Sequence, residues 1–97
     1  MDIYIYVLTD PITELIRYVG QTKNIKNRFY KHLNEAKSYK SKSHKDNWLR
    51  SLLKYDLKPI ISVIDIKTKD TWVDAEIHYI NLFRHLGYDL TINTSGR

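Results

Sequence analysis

The chain has 97 residues, which is enough for one small domain, residues 1–97, and too few for a second. It contains no cysteine, and this excludes disulfides, cysteine nucleophiles and thiolate metal sites. Sixteen Lys and Arg against eleven Asp and Glu give a formal net charge of +5 and a pI near 9.4. That sign suits a polyanionic partner such as nucleic acid.

The apolar runs of the sequence are too short to span a membrane. The N-terminus also lacks the basic-then-apolar layout of a signal peptide. We therefore expect a soluble, cytoplasmic protein with no membrane partner.

Two short runs of β-branched and aromatic residues open the chain and predict a hairpin. Residues 3–8 and 15–20 each have the composition of a strand, and the turn-forming pair Asp10 and Pro11 lies between them. Because the gap is short, antiparallel pairing is favoured. Residues 3–8 are apolar or aromatic on both faces, so the first strand should be covered on two sides. Gly20 is expected to end the second strand.

Three helices and one more strand are predicted in the rest of the chain. Helices are expected over residues 25–37 and 45–55, and a strand over 60–66 that is again apolar on nearly both faces. A final helix starts near residue 71 and is capped by Gly87. The order is therefore β-β-α-α-β-α. It predicts an α/β fold in which a small three-stranded antiparallel sheet is flanked by helices as an α/β/α sandwich.

Basic residues are concentrated in one segment of the chain. Between positions 23 and 45 the single acid Glu35 stands against eight basic residues: Lys23, Lys26, Arg28, Lys31, Lys37, Lys40, Lys42 and Lys45. Such a run alone is more often a solvated helix face and loop. Beside Arg28 and His32, we interpret it as a track for a phosphate backbone.

Side chains suited to phosphate chemistry occur at intervals along this order. Tyr6 and Tyr18 stand on the two predicted strands, and Arg28 and His32 lie one turn apart on the first helix. Taken singly, strand tyrosines are commonly core residues, and an Arg with a His is commonly a solvated helix face. Their conjunction in one short chain is what points to a shared site.

A carboxylate on the last helix is the other candidate. The apolar stripe that surrounds Glu76 consists of Trp72, Val73, Tyr79, Ile80, Phe83 and Leu86. A carboxylate on a largely buried face is costly unless it is paired, hydrogen-bonded or bound to a metal ion. From the stripe alone, a structural ion pair and a functional role are equally supported.

The first third of the chain resembles the catalytic core of the GIY-YIG nuclease superfamily, most closely its phage and homing-endonuclease branch. The two motifs of that family correspond to Ile5-Tyr6 and Tyr18-Val19-Gly20, followed on a helix by Arg28 and His32. Tyr4 replaces the first glycine of the family pattern, which restricts the backbone before Tyr6. The resemblance extends to a helical glutamate and a late asparagine, and so covers essentially the whole chain.

The resemblance implies a metal-dependent DNA endonuclease that hydrolyses phosphodiester bonds at a single Mg²⁺ site, with Mn²⁺ as another suitable cation. Tyr6 would be the general base, with Tyr18 hydrogen-bonding the water or the phosphate nearby. Arg28 would hold the scissile phosphate through paired donors, and Glu76 would bind the cation. His32 either assists Tyr6 or binds phosphate. A phenol has a pKa of roughly 10, so nearby positive charge would have to lower the Tyr6 pKa.

Further substrate contacts are expected from Lys23, Lys26, Lys31, His44 and Asn93. His44 corresponds to a loop histidine of some family members, although a plain surface histidine is the commoner interpretation. Asn93 corresponds to the late asparagine only if the tail is shifted by one residue relative to the family pattern. An ordinary turn residue is the alternative.

Two other functions stay open from the sequence. A catalytically inactive module of the same fold would hold nucleic acid through the basic segment without cutting it, although it would not need to keep the set Tyr6, Tyr18, Arg28, His32 and Glu76. A domain with a partner other than nucleic acid would bind DNA with little salt dependence. Many homing endonucleases attach a DNA-targeting module after the catalytic domain, so a separate or removed targeting domain is a further expectation.

Overall fold

Six elements make up the described part of the chain, which in this computed structural model comprises residues 1–38, 40 and 42–92. In chain order they are β1 (Ile3–Thr9), β2 (Ile16–Thr22), α1 (Ile25–Lys37), α2 (His44–Lys54), β3 (Ile60–Lys67) and α3 (Trp72–His85). The predicted order β-β-α-α-β-α is confirmed, and the predicted strand and helix bounds lie within two residues of these.

Strand β1 is the centre of the sheet, with β2 on one side and β3 on the other, both antiparallel to it. The turn that joins β1 to β2 is closed by a hydrogen bond from the Asp10 amide to the Leu15 carbonyl, at 2.9 Å. Gly20 pairs with Tyr6, and the ladder continues to the pair Tyr4 and Thr22. The expectation that Gly20 ends the strand is therefore wrong, because β1 offers partners for two more residues.

Helices cover both faces of the sheet, as the predicted α/β/α sandwich requires. On one face Tyr6 and Leu8 of β1 pack with residues of α1 and α2, among them Ala36, Trp48 and Leu49. On the other face the buried cluster consists of Ile5, Val7, Val19, Ile80 and Leu90. Because side chains alternate along a strand, β1 contributes to two separate cores. Tyr6 lies in the core that also contains residues of α1 and α2.

Strand β3 is more exposed than its sequence indicates. Only Ile61 and Ile64 of this strand pack against the two cores described above. Ile60, Val63 and Ile66 are exposed, although cover on nearly both faces was predicted. The reason is the position of β3 at an edge of the sheet, where the helices that pack over β1 do not reach every side chain. Val73 of α3 and Leu86, which caps the end of that helix, are likewise exposed and depart from the predicted buried stripe.

Local capping fixes where α1 and α2 begin, and hence which residues they present to the sheet. The Asn24 side chain accepts from the Asn27 amide at 3.0 Å, and the Ser43 side chain accepts from the Asp46 amide at 3.1 Å. At the end of α3, Gly87 has a φ of 96°, the left-handed conformation that glycine adopts readily.

The longest helix in the described ranges has 14 residues. No helix there is long and apolar enough to cross a membrane.

Candidate active site

Two side chains of α1 converge on the hydroxyl of Tyr6. His32 Nε2 lies 2.5 Å from the Tyr6 oxygen, and Arg28 Nε donates to the same oxygen at 3.2 Å. Residues four apart lie on one face of a helix, and the Asn24 cap sets the register that turns this face toward β1. Tyr6 itself is fully buried. Arg28 and His32, one turn apart in the sequence, therefore meet at one phenol oxygen.

Tyr18 completes this group from β2. Its ring centroid lies 6.2 Å from that of Tyr6 and 5.2 Å from that of His32, with the imidazole edge-on to the phenol ring. The charge of Arg28 also acts on Tyr18. The two strand tyrosines, the arginine and the histidine therefore form one cluster, here called the tyrosine cluster: Tyr6, Tyr18, Arg28 and His32.

His32 is buried more deeply than the sequence indicates. The sequence placed it only one turn from Arg28 on the first helix, whereas its side chain is fully buried between β1 and α2. Its Nδ1 lies 2.9 Å from the Nζ of Lys45, the second residue of α2. Burial, followed by the charges of Lys45 and Arg28, lowers the pKa of His32 to about 3. The imidazole is therefore neutral at physiological pH.

The tyrosines are likewise held in their neutral form. Burial raises the pKa of Tyr6 well above its usual range, and the hydrogen bond and charge of Arg28 only partly oppose this. Burial also raises the pKa of Tyr18, again against Arg28. For Arg28, burial is the largest single effect and acts downward, but the hydrogen bonds and charges of Tyr6 and Tyr18 together outweigh it and leave the pKa raised. Extra positive charge is needed before either phenol ionises at neutral pH.

Glu76 on α3 is buried, with a relative exposure of 6%. Its negative charge raises the pKa of both Tyr6 and Tyr18, so the carboxylate acts electrostatically on the tyrosine cluster from a different helix. Within the described ranges, no three or more His, Cys, Asp or Glu side chains group into a metal site. A cation held by Glu76 would therefore need ligands other than two further side chains of these types from the described residues.

An open cleft adjoins the tyrosine cluster at the start of α1. It is lined by Gln21, Thr22, Lys23, Asn24, Asn27, Arg28 and Lys31. Arg28 belongs to both features, since it lines the cleft and donates to Tyr6. All of these lining residues are polar, three of them carry positive charge, and this suits an anionic ligand.

The remaining residues that were predicted to contact the substrate are Lys26, His44 and Asn93. Lys26 is exposed on α1 beside the cleft without lining it, and His44 is exposed as the first residue of α2. Asn93 lies outside the described residues.

Lys45 is the residue of this region that sequence reasoning missed. It appeared only as the last member of a basic run, whereas its side chain is 13% exposed and lies against His32. It also forms ion pairs with Glu35 at 3.7 Å and Asp46 at 3.5 Å. The contact joins α1 to α2, so no local spacing in the sequence could have revealed it.

Comparison with known protein families gives a match that includes the residues of this site. The family model described as the GIY-YIG catalytic domain matches residues 2–89, nearly the whole chain. Neither the curated proteins nor the solved structures contain a match to the chain. The matched range includes β1, β2, all three helices and every residue of the tyrosine cluster, together with Glu76. With a nuclease-type fold and a family match over this length, the chain belongs to the GIY-YIG family.

Proposed function

We propose that this domain is a metal-dependent DNA endonuclease that hydrolyses phosphodiester bonds with Tyr6 as its general base. The observation that carries the proposal is the convergence of His32 Nε2 and Arg28 Nε on one buried tyrosine hydroxyl, at 2.5 and 3.2 Å. A purely structural tyrosine needs one hydrogen-bond partner for its hydroxyl, whereas two nitrogen groups on one oxygen suit a phenolate. Membership of the GIY-YIG family supports nuclease chemistry.

Tyr6 must be ionised before it can accept a proton from water. Burial opposes ionisation by raising its pKa, and the negative charge of Glu76 adds to that effect. Arg28 works in the other direction through its hydrogen bond and its charge. Positive charge near Glu76 would offset one part of the effect that raises the Tyr6 pKa, and this would link the carboxylate to the base. Tyr18 would orient the attacking water or a phosphate oxygen beside Tyr6.

Glu76 would hold the divalent cation. Mg²⁺ is usually bound by one or two carboxylates with waters and substrate phosphate oxygens, so one buried glutamate beside the cluster fits it. Mn²⁺ has a similar preference for oxygen ligands. When bound, the cation would stabilise the departing 3′ oxygen and offset the charge of Glu76 that raises the Tyr6 pKa.

Arg28 would hold the scissile phosphate. Its Nε donates a hydrogen bond to the Tyr6 hydroxyl oxygen, and the same side chain lines the basic cleft. The guanidinium carries further donors in a fork that matches phosphate oxygens. A phosphate bound by Arg28 would lie next to the Tyr6 hydroxyl, as a general base requires. Lys23 and Lys31 in the cleft, with Lys26 and His44 nearby, would contact neighbouring phosphates.

The test is the conversion of supercoiled plasmid to nicked and linear forms with Mg²⁺, with Mn²⁺ and with EDTA. The natural protein is compared with Tyr6→Phe and Glu76→Ala. Tyr55→Phe and Asp70→Ala serve as controls, because they remove a phenol hydroxyl and a carboxylate at exposed positions. We expect metal-dependent cutting that falls by roughly 10²- to 10⁴-fold in Tyr6→Phe, the usual contribution of a general base.

The outcomes separate the candidate roles. Cutting that survives Glu76→Ala means that the metal ligand is assigned wrongly. Folded protein that binds DNA but never cuts it with either cation supports the catalytically inactive binding module instead. The basic lining of the cleft is the observation that favours this second function.

A further inference from the structure

Lys45 contacts the tyrosine cluster from α2. Its Nζ lies 2.9 Å from His32 Nδ1 and 5.5 Å from the centroid of the Tyr18 ring. The side chain is mostly buried, and it reaches this position because the Ser43 cap starts α2 immediately before it. Carboxylates of Glu35 and Asp46 lie within 4 Å of the ammonium and compensate its charge.

The position of this ammonium determines which nitrogen of His32 carries the proton. A lysine ammonium only donates hydrogen bonds, so His32 Nδ1 has to accept. Burial and the neighbouring positive charges keep the imidazole neutral by lowering its pKa to about 3. A neutral imidazole that accepts at Nδ1 carries its hydrogen on Nε2. That hydrogen points at the Tyr6 oxygen 2.5 Å away.

We infer that Lys45 is a positioning residue that fixes His32 as the Nε2–H tautomer, so that His32 donates to Tyr6. The inference rests on the proposed function, in which Tyr6 is the general base. It also chooses between the two roles that the sequence left open for His32, because a histidine committed to Tyr6 and Lys45 does not bind phosphate.

The consequence for Tyr6 is a pair of donors on one oxygen. His32 Nε2–H and Arg28 Nε–H both donate to it, and hydrogen bonds to the charged form of a group favour that form. With the other tautomer, His32 would accept the Tyr6 hydrogen and favour the neutral phenol. Lys45 therefore affects the base through the histidine, without touching the Tyr6 oxygen itself.

The test combines nuclear magnetic resonance with kinetics. The ¹⁵N shifts of the His32 ring, assigned with a His32→Gln spectrum, distinguish the two tautomers in the natural protein at pH 7. The variants are Lys45→Met, which has no donor, and Lys45→Arg, which can only donate. Lys58→Met is the matched control, since it removes one exposed positive charge outside the basic segment. Thermal melts establish that each variant is folded.

We expect the natural protein and Lys45→Arg to hold the Nε2–H tautomer, and Lys45→Met to populate Nδ1–H. The kcat for cleavage should fall in Lys45→Met on the order of 10- to 100-fold, as for other residues that fix a histidine tautomer. Lys58→Met should leave kcat unchanged.

Several results would overturn the inference. An Nδ1–H signal in the natural protein does so without any variant, even if Lys45→Met fails to fold. A Lys45→Met protein with unchanged tautomer and kcat does so as well. If the natural protein cuts no DNA at all, the proposed function fails, while the ring spectra still decide whether Lys45 fixes the tautomer.

Discussion

Gly20 lies directly opposite Tyr6 in the β1–β2 ladder, and a Cβ on Gly20 would come within 2.6 Å of the Tyr6 hydroxyl oxygen. The same Cβ would lie 2.8 Å from the Tyr18 ring. The glycine of the second motif therefore makes room for both phenols. The role of Gly20 is steric, because the Tyr6 hydroxyl beside it is fully buried and already hydrogen-bonded to His32 and Arg28.

Gly20→Ala is accordingly expected to damage both stability and activity. Because the added Cβ would overlap the tip of the fully buried Tyr6, the variant should lose roughly 1–3 kcal/mol of unfolding free energy through overpacking. Cleavage should fall by on the order of 100-fold, because the hydroxyl is displaced from its partners. Urea unfolding and the plasmid assay measure the two effects on the same preparation.

Gly87→Ala is the matched control for this change. The added Cβ meets nothing within 4 Å, but the φ of 96° is unfavourable for alanine, at a cost of roughly 1–2 kcal/mol. A comparable loss of stability with normal cleavage is expected there. If both variants cut DNA equally well, Gly20 is not needed to position Tyr6.

The sequence predicts the elements of this fold well, because the signals are local. The predicted bounds of α1, residues 25 and 37, are also those of the structure, in which Asn24 caps the helix. The tyrosines of β1 and β2 were assigned to their strands by the same short-range patterns. The residues that belong to each strand and helix could therefore be predicted from the sequence alone.

The parts that could not be predicted depend on contacts between elements. His32 is buried because α2 packs over it, and Lys45 meets its ring from that helix. Val63 faces solvent because β3 lies at the edge of the sheet, which its apolar composition does not reveal. Glu76 was placed correctly on a buried stripe, yet its effect on Tyr6 arises only from the packing of α3 against the sheet.

The depressed pKa of His32 predicts a loss of stability in mild acid. The ordinary pKa of 6.5 applies to the unfolded chain, and the folded state protonates only at about 3. Above pH 6.5 both states are neutral at this residue, so its contribution to stability is fully present. Between pH 6.5 and about 3 the unfolded state alone binds the proton. The free energy of unfolding should therefore fall by up to about 1.4 kcal/mol per pH unit.

The measurement is urea unfolding across that pH range for the natural protein and His32→Gln. Glutamine cannot take up the proton, so its curve should be flatter over this interval. His85→Gln removes an exposed histidine and should keep the steeper slope. Parallel curves for the natural protein and His32→Gln would show that His32 is not held neutral by the fold.

Asp10 anchors the β1–β2 turn to α2, and its substitution should destabilise the domain. Oδ1 accepts from the amides of Ile12 at 2.7 Å and Thr13 at 3.2 Å, and Oδ2 accepts from Trp48 Nε1 at 3.0 Å. Asparagine has to turn its NH₂ group toward one of these donors. Asp10→Asn should cost roughly 1–3 kcal/mol at pH 7, compared with less than about 0.5 kcal/mol for the exposed Asp70→Asn.

The pH dependence of this effect gives an independent check. Burial alone would raise the pKa of Asp10, but the hydrogen bonds from Trp48, Ile12 and Thr13 outweigh it and lower the pKa. The stabilisation is present above the unfolded pKa of roughly 3.9 and is lost as the pH falls through the folded value. The stability gap between the natural protein and Asp10→Asn should therefore narrow below about pH 4. A gap that stays constant would mean that the charge is irrelevant.

The basic cleft predicts a salt dependence that can be assigned to individual side chains. Lys23 and Lys31 line it and Lys26 is exposed beside it, so each should neutralise one DNA phosphate. Replacing all three by glutamine should reduce the slope of log Kd against log salt by about 2 to 3, at roughly 0.9 per phosphate contact. Fluorescence anisotropy with a labelled duplex between 50 and about 200 mM salt is a suitable measurement.

A second triple variant separates a specific track from overall charge. Lys54, Lys58 and Lys69 are also exposed but lie outside the cleft, and their replacement by glutamine lowers the net charge by the same amount. Its slope should stay within measurement error of the natural protein, because charges that do not contact phosphates release no counterions. Equal slopes for the two triple variants would place the DNA on another surface of the domain. If the slope of log Kd against log salt is near zero for the natural protein, a partner other than nucleic acid is favoured.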